Sequence, residues 1–453
     1  MRGARNSGKY WVTTYGCQMN VHDGEAVAGM LEGLGYQPAH ALDEADLIVI
    51  LTCCVRKSAE DRVWGNVGEL ARLKQRRPQT VLALGGCMTQ QPGVAEEVRR
   101  RAPHVDLVFG THNLYRLPDL LTQVRPGVQV AEVQGEAGEL PPLPTRRAPG
   151  IRAWITIMHG CNNFCSYCIV PYVRGPQRSR PWPDIVSETE RAVGEGFREV
   201  FLLGQNVNDY GCDLSYEDGF AGLLRRLDRI PGLQRLRYTT SHPRDFTDDM
   251  IAAVAECRSV CEHFHLPVQA GSDRVLAAMN RGYTKEQYLD LLGRIRARVP
   301  GAGISTDIIV GFPGESDEDF ADTLDLVSRA RFDSAFTFMF SPRSGTPAAS
   351  LPGQVSAEVK KERLLQLNRL QNSISLEKNR ELLDEEVEVL VEGVSERDPA
   401  QLTGRTRTNK VVVFPGPPEW TGRLVKVRVR RALTWTLHGE VVNGQAVSGE
   451  VSP

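Results

Sequence analysis

Three cysteines lie close together near the middle of the chain, in the segment CNNFCSYC at residues 161–168. Thiolates at Cys161, Cys165 and Cys168 can ligate three of the four irons of a 4Fe–4S cluster and leave the fourth iron open. An open iron can chelate a substrate or cofactor, as the open position of a catalytic zinc site does. The alternative is a structural zinc site, which needs a fourth protein ligand, and His159 is the nearest candidate. The spacing favours the iron–sulfur cluster.

A second set of cysteines is dispersed along the N-terminal part of the chain. Cys17, Cys53 and Cys87 each stand at or just after the end of a predicted strand, in YGCQMN, LTCCVR and GGCMTQQ. The carboxyl ends of parallel strands share one edge of a sheet, so these three thiols could meet and bind a second cluster with an open iron. Buried inert cysteines are the alternative. The repeated placement at strand ends favours ligands, with the neighbouring Cys54 expected to point elsewhere as a free thiol.

The elements that must position these cysteines divide the chain into three segments. The first alternates short apolar stretches with amphipathic ones such as residues 58–76, where apolar residues recur at helical spacing. Repeated βα units predict a doubly wound parallel sheet over residues 8–125. A run rich in proline and glycine then predicts a linker over residues 126–150. The predicted strands of the sheet are residues 11–15, 46–52, 80–85 and 106–110.

The second segment, residues 151–380, repeats the βα pattern six times and predicts a partial (β/α)6 barrel with chemistry at the carboxyl ends of its strands. The predicted barrel strands are residues 153–157, 199–203, 236–240, 263–267, 303–310 and 335–340. After a charged helix at about 358–383, the third segment, residues 381–446, predicts a small β-barrel. Its predicted strands are residues 386–392, 411–414, 424–429 and 440–442. The fold class is therefore α/β with an all-β C-terminal barrel.

The composition limits the choice of partner and compartment. The 54 Lys+Arg residues against 56 Asp+Glu give a formal net charge of −2, so any nucleic-acid footprint must be local. No apolar run approaches the roughly 18 residues of a membrane helix, and no apolar stretch of a signal peptide follows the first basic residues. Ten cysteines are too few for a disulfide scaffold of this length. We predict a cytoplasmic protein with reduced cysteines and no membrane partner.

Two clusters of basic residues fit a local RNA partner. Arg174 and Arg178 follow the cysteine loop, where planar guanidinium groups could hold phosphates. Between residues 402 and 432, eight basic residues stand against Glu419 as the one acid, and alternation puts charges on one face of a strand. A solvated charged face is the alternative for both clusters, and the imbalance favours RNA for the second. The basic residues of this second cluster are Arg405, Arg407, Lys410, Arg423, Lys426, Arg428, Arg430 and Arg431.

The cysteine loop after the first predicted barrel strand resembles that of the radical S-adenosylmethionine (SAM) enzymes. This resemblance implies reductive cleavage of SAM at the open iron to a 5′-deoxyadenosyl radical. The stretch LGQ at residues 203–205 resembles the motif that holds the SAM amino group, so Gln205 is expected to contact SAM, and the glycine-rich IIVGFPGE at 308–315 resembles the turn near the adenine. From their positions on the barrel, Gln269 and Asp307 are further candidates, Asp307 for the ribose. A role in the core is the alternative for Gln269.

A longer series of motifs follows in order along nearly the whole chain. It consists of YGCQMN, TC-x-VR, GGCMTQQ, GCNNFCSYCIVPYVRG, LLGQNVN, TTSHP, HLPVQAGS, DIIVGFPGE, FSPRSGTPAA and GRTRTNK. The series resembles the radical SAM methylthiotransferases, and within them the MiaB type that acts on tRNA. The third segment resembles the TRAM domain, a small tRNA-binding barrel.

The resemblance implies a transferase that adds a methylthio group to C2 of N6-isopentenyladenosine next to the anticodon in tRNA. It implies a second 4Fe–4S cluster on Cys17, Cys53 and Cys87 that carries or supplies sulfur, one SAM as methyl donor and another as radical source. An aromatic C–H is too weak an acid for general-base chemistry, so no side-chain acid or base is expected to catalyse the reaction. The expected partners are the anticodon stem-loop and an electron donor such as flavodoxin or ferredoxin, with the enzyme acting as a monomer.

Other functions remain open from the sequence. Related enzymes methylthiolate threonylcarbamoyladenosine in tRNA or an aspartate of a ribosomal protein. The N-terminal sheet could be a flavodoxin-like module fused to a radical SAM oxidoreductase, or the chain could be a redox-sensing RNA-binding protein. Cys257 and Cys261 precede His263 and His265 and could form a metal site, but the histidines fall in a predicted strand, which favours core residues. Cys212 is expected to be a free thiol.

Overall fold

The computed structural model describes residues 8–54, 57–133, 135 and 143–442. Its contacts divide the chain into two compact units. The first contains the chain as far as Pro149 together with two short later segments, His159–Asn162 and Ile169–Arg178, and the second contains the remainder. Within the described residues, no helix is long and apolar enough to cross a membrane.

The first unit is built on a six-stranded sheet in which every neighbouring pair of strands is parallel. Along the sheet the order is β2-β1-β3-β4-β5-β6. The strands are β1 (Lys9–Thr14), β2 (Gln37–Pro38), β3 (Leu47–Thr52), β4 (Val81–Gly86), β5 (Leu107–Gly110) and β6 (Val130–Glu132). The helices are α1 (Gln18–Gly33), α2 (Lys57–Arg76), α3 (Val94–Arg101), α4 (Leu117–Gln123) and α5 (Val170–Arg174).

Strand β3 explains why this sheet carries helices on both faces. All six of its residues are buried, and successive side chains point to opposite faces of a sheet. Leu47 and Val49 enter one core with α1 and α4, whereas Ile48 and Ile50 enter another with α2 and α3. The predicted doubly wound parallel sheet is thereby confirmed. The edge strands β2 and β6 were not predicted because they are two and three residues long, and β6 lies inside the predicted linker.

The second unit contains six parallel strands with helices between them. The strands are β7 (Arg152–Thr156), β10 (Glu199–Leu203), β11 (Arg235–Thr239), β12 (His263–His265), β13 (Gly303–Val310) and β14 (Ser334–Met339). Two short strands, β8 (Met158–His159) and β9 (Arg178–Ser179), come between the first two of these along the chain. The helices are α6 (Trp182–Gly194), α7 (Gly219–Leu227), α8 (Asp248–Glu256), α9 (Asp273–Ala278), α10 (Lys285–Arg298), α11 (Asp317–Ala330) and α12 (Ala357–Arg380).

These six strands form the partial barrel that the βα repeats predict. They make two three-stranded sheets, β11-β10-β7 and β12-β13-β14, and a parallel bridge between Leu236 and Val260 joins them. On β13 the even-numbered residues are fully buried against the helices, while Asp307 and Ile309 on the other face are half-buried. The second face therefore lines the interior of the barrel.

Side-chain caps fix the start of several helices, and the capping residues are Thr247, Ser272, Thr284, Ser316 and Ser356.

A closed five-stranded barrel ends the second unit, in the order β15-β16-β17-β19-β18. Its strands are β15 (Glu386–Val394), β16 (Gln401–Thr406), β17 (Val411–Pro415), β18 (Leu424–Ala432) and β19 (Thr436–Val441). The predicted small β-barrel is confirmed, but β16 was not predicted and β19 begins four residues before the strand predicted at 440–442. Strand β16 was missed because Gly404, in its middle, is a residue typical of turns. The glycine is needed because a Cβ there would lie 2.3 Å from the carbonyl oxygen of Leu390 on the neighbouring strand.

Buried arginines on β11 hold this barrel against the parallel strands. Arg237 donates to the backbone carbonyls of Thr406 and Arg407 at 2.6 and 2.9 Å, and to Glu199 at 2.5 Å. Arg235, whose side chain is 0% exposed, also donates to the backbone of the barrel. Because a buried guanidinium without acceptors is costly, the barrel stabilises the strands on which it rests.

Replacing Arg237 by leucine should therefore lower the free energy of unfolding of the second unit by about 3 kcal/mol, because Glu199 stays buried with one arginine fewer. Urea denaturation of the full chain measures the change. Arg225→Leu is the matched control, since its acidic partners Asp249 and Glu256 are each more than half exposed, and these ion pairs should contribute at most about 1 kcal/mol. Equal effects of the two substitutions would contradict the structural role of Arg237.

Candidate functional site

The structure brings Cys17, Cys53 and Cys87 to the same edge of the first sheet. Cys17 is the N-cap residue of α1, and Cys53 and Cys87 come directly after β3 and β4. The strands β1, β3 and β4, which precede these cysteines, are neighbours in the sheet. The thiols of Cys17 and Cys53 are hydrogen-bonded to one another. The expected convergence at one sheet edge therefore has its geometric basis in three adjacent parallel strands.

Glycines before two of these cysteines allow the thiols to approach. Gly16 has a φ of +109°, and a Cβ at this position would lie 2.5 Å from the Cys53 sulfur. Gly86, before Cys87, has a φ of +108°, and a Cβ there would lie 2.7 Å from the carbonyl oxygen of Thr52. Both conformations favour glycine over residues with a side chain. The glycines in YGC and GGC are therefore part of the site.

Cys54 also belongs to this group, contrary to the expectation that it points elsewhere. It is buried in a small cluster with Ile169 and Val173 and is hydrogen-bonded to the thiol of Cys87. This hydrogen bond and burial raise the pKa of Cys54 well above its usual value. The same bond to Cys54 lowers the pKa of Cys87, and the bond from Cys53 lowers that of Cys17 to about 6. Cys17 and Cys87 thus have the thiolate character that a ligand requires.

Arg174 lies in the interior of the first unit, where it contacts the cysteines. Its side chain is 6% exposed, and its Nε donates to the Cys87 sulfur at 3.3 Å. One terminal nitrogen donates to Asp23 at 2.8 Å and to Asn20 at 3.1 Å. These partners leave no surface for the phosphate contact that its sequence position suggested. Arg178 is half-buried, and this burial lowers the pKa of its guanidinium.

The loop at residues 161–168 follows β7 and β8. Cys165 is buried, and its sulfur accepts a hydrogen bond at 3.3 Å from Arg281, itself buried. The backbone around Cys165 is fixed by Ser166, whose N–H and hydroxyl donate to the carbonyls of Met279 and Ala278 at 3.0 and 2.7 Å. Sequence reasoning missed Arg281, because a single arginine outside every motif gave no sign of a contact with a cysteine.

Neither alternative metal site gains support from the geometry. In the ranges that the structure describes, no three His, Cys, Asp or Glu side chains stand at the spacing of a single metal ion. A 4Fe–4S cluster binds each thiolate at a different iron, so its ligands stand farther apart. His263 and His265 both hydrogen-bond Ser305 Oγ at 3.0 Å, and burial raises the pKa of Cys257 and Cys261. No disulfide joins any of the ten cysteines, all of which lie in the described ranges.

The three candidate SAM contacts lie on or after the barrel strands. Gln205 follows β10, and its Oε1 is buried without a hydrogen-bond partner among the described residues. Gln269 follows β12 in the left-handed region, with φ +74°, and its backbone bonds Asp307 and Ile309 on β13. Asp307 is half-buried, 3.5 Å from His265. The amide oxygen of Gln205 can accept a hydrogen bond from an ammonium group, and the carboxylate of Asp307 can accept from sugar hydroxyls. These side chains are therefore compatible with SAM.

Three of the basic residues predicted to bind RNA form ion pairs within the second unit, two of them with acids outside the C-terminal barrel and one inside it. Arg407 pairs with Glu262 at 2.7 Å, and Lys410 pairs with Asp333 at 2.9 Å. Arg405 pairs with a carboxylate of β15 at 3.1 Å. Counting charges along residues 402–432 missed these acids because they come from other parts of the chain.

The remaining basic residues lie on the outer surface of the barrel. The predicted alternation on β18 is observed, since Val425, Val427 and Val429 are buried between charged residues. Arg428 is half-buried and Arg430 is exposed, and both form ion pairs with acids of neighbouring segments. Within residues 143–442, no ion pair is found for three further exposed basic residues, which are Arg423, Lys426 and Arg431.

Comparison with known families agrees with this architecture. The description "Radical SAM superfamily" matches residues 155–327, "Uncharacterized protein family UPF0004" matches 9–110, and "TRAM domain" matches 381–442. A solved radical SAM methyltransferase from Kitasatospora setae, TsrM, shares the fold with a TM-score of 0.57 at 14% identity, covering 76% of this chain and 74% of that one. The parallel barrel with its cysteine loop is that of a radical SAM enzyme.

Curated relatives narrow this class. The tRNA-2-methylthio-N6-dimethylallyladenosine synthase of Moorella thermoacetica is 55% identical over 96% of this chain and 98% of its own length. The enzyme of the same name from Carboxydothermus hydrogenoformans is 53% identical, covering 96% of this chain and 99% of the relative. The chain belongs to the family of tRNA-2-methylthio-N6-dimethylallyladenosine synthases, which confirms the resemblance drawn from the motifs. The family uses SAM and a 4Fe–4S cluster, and the alternative functions are not favoured.

If the orphan oxygen of Gln205 accepts a hydrogen bond from SAM, Gln205→Leu should weaken SAM binding about tenfold or more. Equilibrium dialysis with the reconstituted full chain measures the affinity. Gln234→Leu is the matched control, because its Oε1 is also buried without a partner in the described part but lies before β11, at the amino end of the strand. Unchanged affinity in Gln205→Leu, or an equal loss in both variants, would contradict the assignment.

Proposed function

We propose that this chain converts N6-isopentenyladenosine next to the anticodon of tRNA to its 2-methylthio derivative. The observation that carries the proposal is the presence, in one chain, of a radical SAM cysteine loop and of three cysteines at adjacent strand ends. The relatives at 55% and 53% identity carry the name of this activity over nearly their full length. Methylthiolation of threonylcarbamoyladenosine or of a ribosomal-protein aspartate has no corresponding support.

The proposal includes two 4Fe–4S clusters, one on Cys161, Cys165 and Cys168 and one on the N-terminal set. When bound, the clusters and SAM would supply the sulfur, the methyl group and the radical that removes the C2 hydrogen. Adjacent strand ends and the thiolate character of Cys17 and Cys87 support the second cluster. Each set would contribute three thiolates, which would leave one iron of each cluster open to exchange ligands.

The interior face of β13 and β14 offers a place for the adenine base of the tRNA nucleotide that is modified. Asp307 and Phe336 are register partners on these strands and so point to the same side. The Phe336 ring is 54% exposed and packs edge-on against His265 at a centroid distance of 6.1 Å. An exposed aromatic ring in the interior of the barrel fits stacking on a base that has left its loop. We assign Phe336 to the base and keep Gln205, Gln269 and Asp307 as the proposed SAM contacts.

The outer surface of the C-terminal barrel is the proposed contact with the tRNA backbone. Arg423, Lys426 and Arg431 are exposed there, and the indole of Trp435 is 59% exposed nearby in sequence and fits base stacking. Arg428 and Arg430 can join them, because exchanging an exposed ion pair for a phosphate costs little. Arg405, Arg407, Lys410 and Arg174 are removed from the proposed contacts because protein partners already engage them.

The proposal extends to partners and location. A low-potential carrier such as flavodoxin or ferredoxin would deliver the electron that SAM cleavage consumes, and the enzyme would act as a monomer in the cytoplasm, where mature tRNA is found. Half-buried Arg178 stays a candidate for an anticodon-loop phosphate.

Nucleoside mass spectrometry of tRNA from a deletion strain tests the activity. Expression of this chain should restore 2-methylthio-N6-isopentenyladenosine, and Cys53→Ala should abolish the product. Cys54→Ser is the matched control and should retain most of the product, because serine can still occupy the small space against Cys87. Restoration of a methylthiolated threonylcarbamoyladenosine instead would contradict the proposed substrate.

Iron analysis tests the cluster count. The anaerobically reconstituted protein should hold about eight irons, two cubanes of four. Replacing all three cysteines of either set by alanine should leave about four. Loss of the loop set should end SAM cleavage, whereas loss of Cys17, Cys53 and Cys87 should leave deoxyadenosine formation measurable. Full iron content in both triple variants would contradict the ligand assignment.

Salt titration of tRNA binding tests the surface. Each lost phosphate contact reduces the slope of log affinity against log salt by about 0.7 to 0.9. Replacing Arg423, Lys426 and Arg431 together by glutamine should flatten the slope accordingly and weaken different tRNAs alike. The matched control removes three exposed charges from the outer helices, at Arg294, Arg298 and Arg329, and should leave the slope unchanged. Equal slopes for both variants would contradict an RNA contact on the barrel.

A further inference from the structure

A pair of opposite charges lies buried behind the N-terminal cysteines. Arg174 donates to the Cys87 sulfur at 3.3 Å and to the Asp23 carboxylate at 2.8 Å. Both side chains are largely buried, at 6% and 11% exposure. Asn20 orients the arginine: its Nδ2 donates to the carbonyls of Tyr15 and Thr52 at 2.7 and 2.8 Å, which fixes its Oδ1 as an acceptor for Arg174.

The position of this pair has an electrostatic consequence. A cluster becomes more negative when it is reduced. A positively charged group that donates to a ligating sulfur therefore stabilises the reduced state, and a nearby negative charge destabilises it. Net charge and hydrogen bonds to the sulfurs set the potential of iron–sulfur clusters, and charges interact more strongly away from water. Arg174 donates a hydrogen bond to the sulfur, whereas the charge of Asp23 acts on it from the other side of the guanidinium.

We propose that Arg174 raises, and Asp23 lowers, the reduction potential of the cluster held by Cys17, Cys53 and Cys87. This inference rests on the proposed second cluster. Both are positioning residues, since neither is expected to touch the substrate. The arrangement lets the protein tune this cluster without changing a ligand.

The loop cysteines provide an internal comparison. Arg281 donates to the Cys165 sulfur, also at 3.3 Å, and its other hydrogen bonds go to the Pro267 carbonyl and the hydroxyls of Tyr167 and Tyr283. No carboxylate forms an ion pair with Arg281 in the described part of the chain. Asp23 therefore distinguishes the N-terminal site. A guanidinium nitrogen lies 3.3 Å from a cysteine sulfur at both sites, but among the described residues only Arg174 is paired with a carboxylate.

The experiment uses the full chain with Cys161, Cys165 and Cys168 replaced by alanine, so that one cluster is present. Anaerobic titration with dithionite, followed by electron paramagnetic resonance, gives the ratio of reduced to oxidised cluster. Arg174→Gln should lower this ratio at least tenfold at a fixed applied potential, a shift of about 59 mV for one electron. Asp23→Asn should raise the ratio, and Arg174→Lys, which keeps the charge, should fall between Arg174→Gln and the parent.

Lys74→Gln is the matched control. It removes a half-buried ion pair with Asp106, which lies at the amino ends of the strands of the same sheet, away from the cysteines. This substitution should leave the ratio unchanged. Equal ratios in the parent, Arg174→Gln and Asp23→Asn would overturn the proposal, as would a shift of both variants in the same direction, which marks a structural disturbance. If Arg174→Gln does not take up iron, Asp23→Asn decides: a raised ratio supports the proposal, and an unchanged or lowered one overturns it. Absence of iron from the parent itself would overturn the second cluster and thus the proposed function.

Discussion

Parallel strands all end at the same edge of a sheet, and this constraint determines where the reactive residues of both units lie. In the first unit it collects Cys17, Cys53 and Cys87, which are 36 and 34 residues apart in sequence. In the second it places Cys165, Cys168 and Gln205 after the barrel strands β7 and β10. Neither site needs a long specialised loop, because the βα repeat presents each strand end in turn.

Cysteines that bind a cluster do so as thiolates, and thiolates at such an edge would repel one another unless a positive charge inside the protein compensated them. The fold meets this need with a buried arginine on each unit's cysteines, Arg174 at Cys87 and Arg281 at Cys165, both 3.3 Å from sulfur. Burial alone would disfavour a charged guanidinium, but its surroundings raise the pKa of each well above the usual value, so both stay protonated. The positive charge is thus as much a part of each site as the sulfur atoms.

Much of this could be predicted from the sequence, and the failures have physical causes. Most strands of the parallel sheets follow from apolar runs such as residues 47–51, and the cysteines follow from their spacing and their positions at strand ends. The ion pairs of Arg174, Arg407 and Lys410 with carboxylates of this chain were not foreseen, because a basic residue looks the same in sequence whether a phosphate or a distant carboxylate compensates it. Strand β16 was hidden by Gly404, and Cys54 by the assumption that neighbouring side chains at a strand end must diverge.

The buried contact between β11 and the C-terminal barrel has a consequence for the modular history of the chain. Two arginines of β11 donate to backbone carbonyls of the C-terminal barrel. In the opposite direction, Arg407 and Lys410 of the barrel form ion pairs with Glu262 and Asp333. A barrel grafted from another protein would need to supply both the carbonyls and the cations, so exchange of this domain requires coordinated change on both sides of the junction.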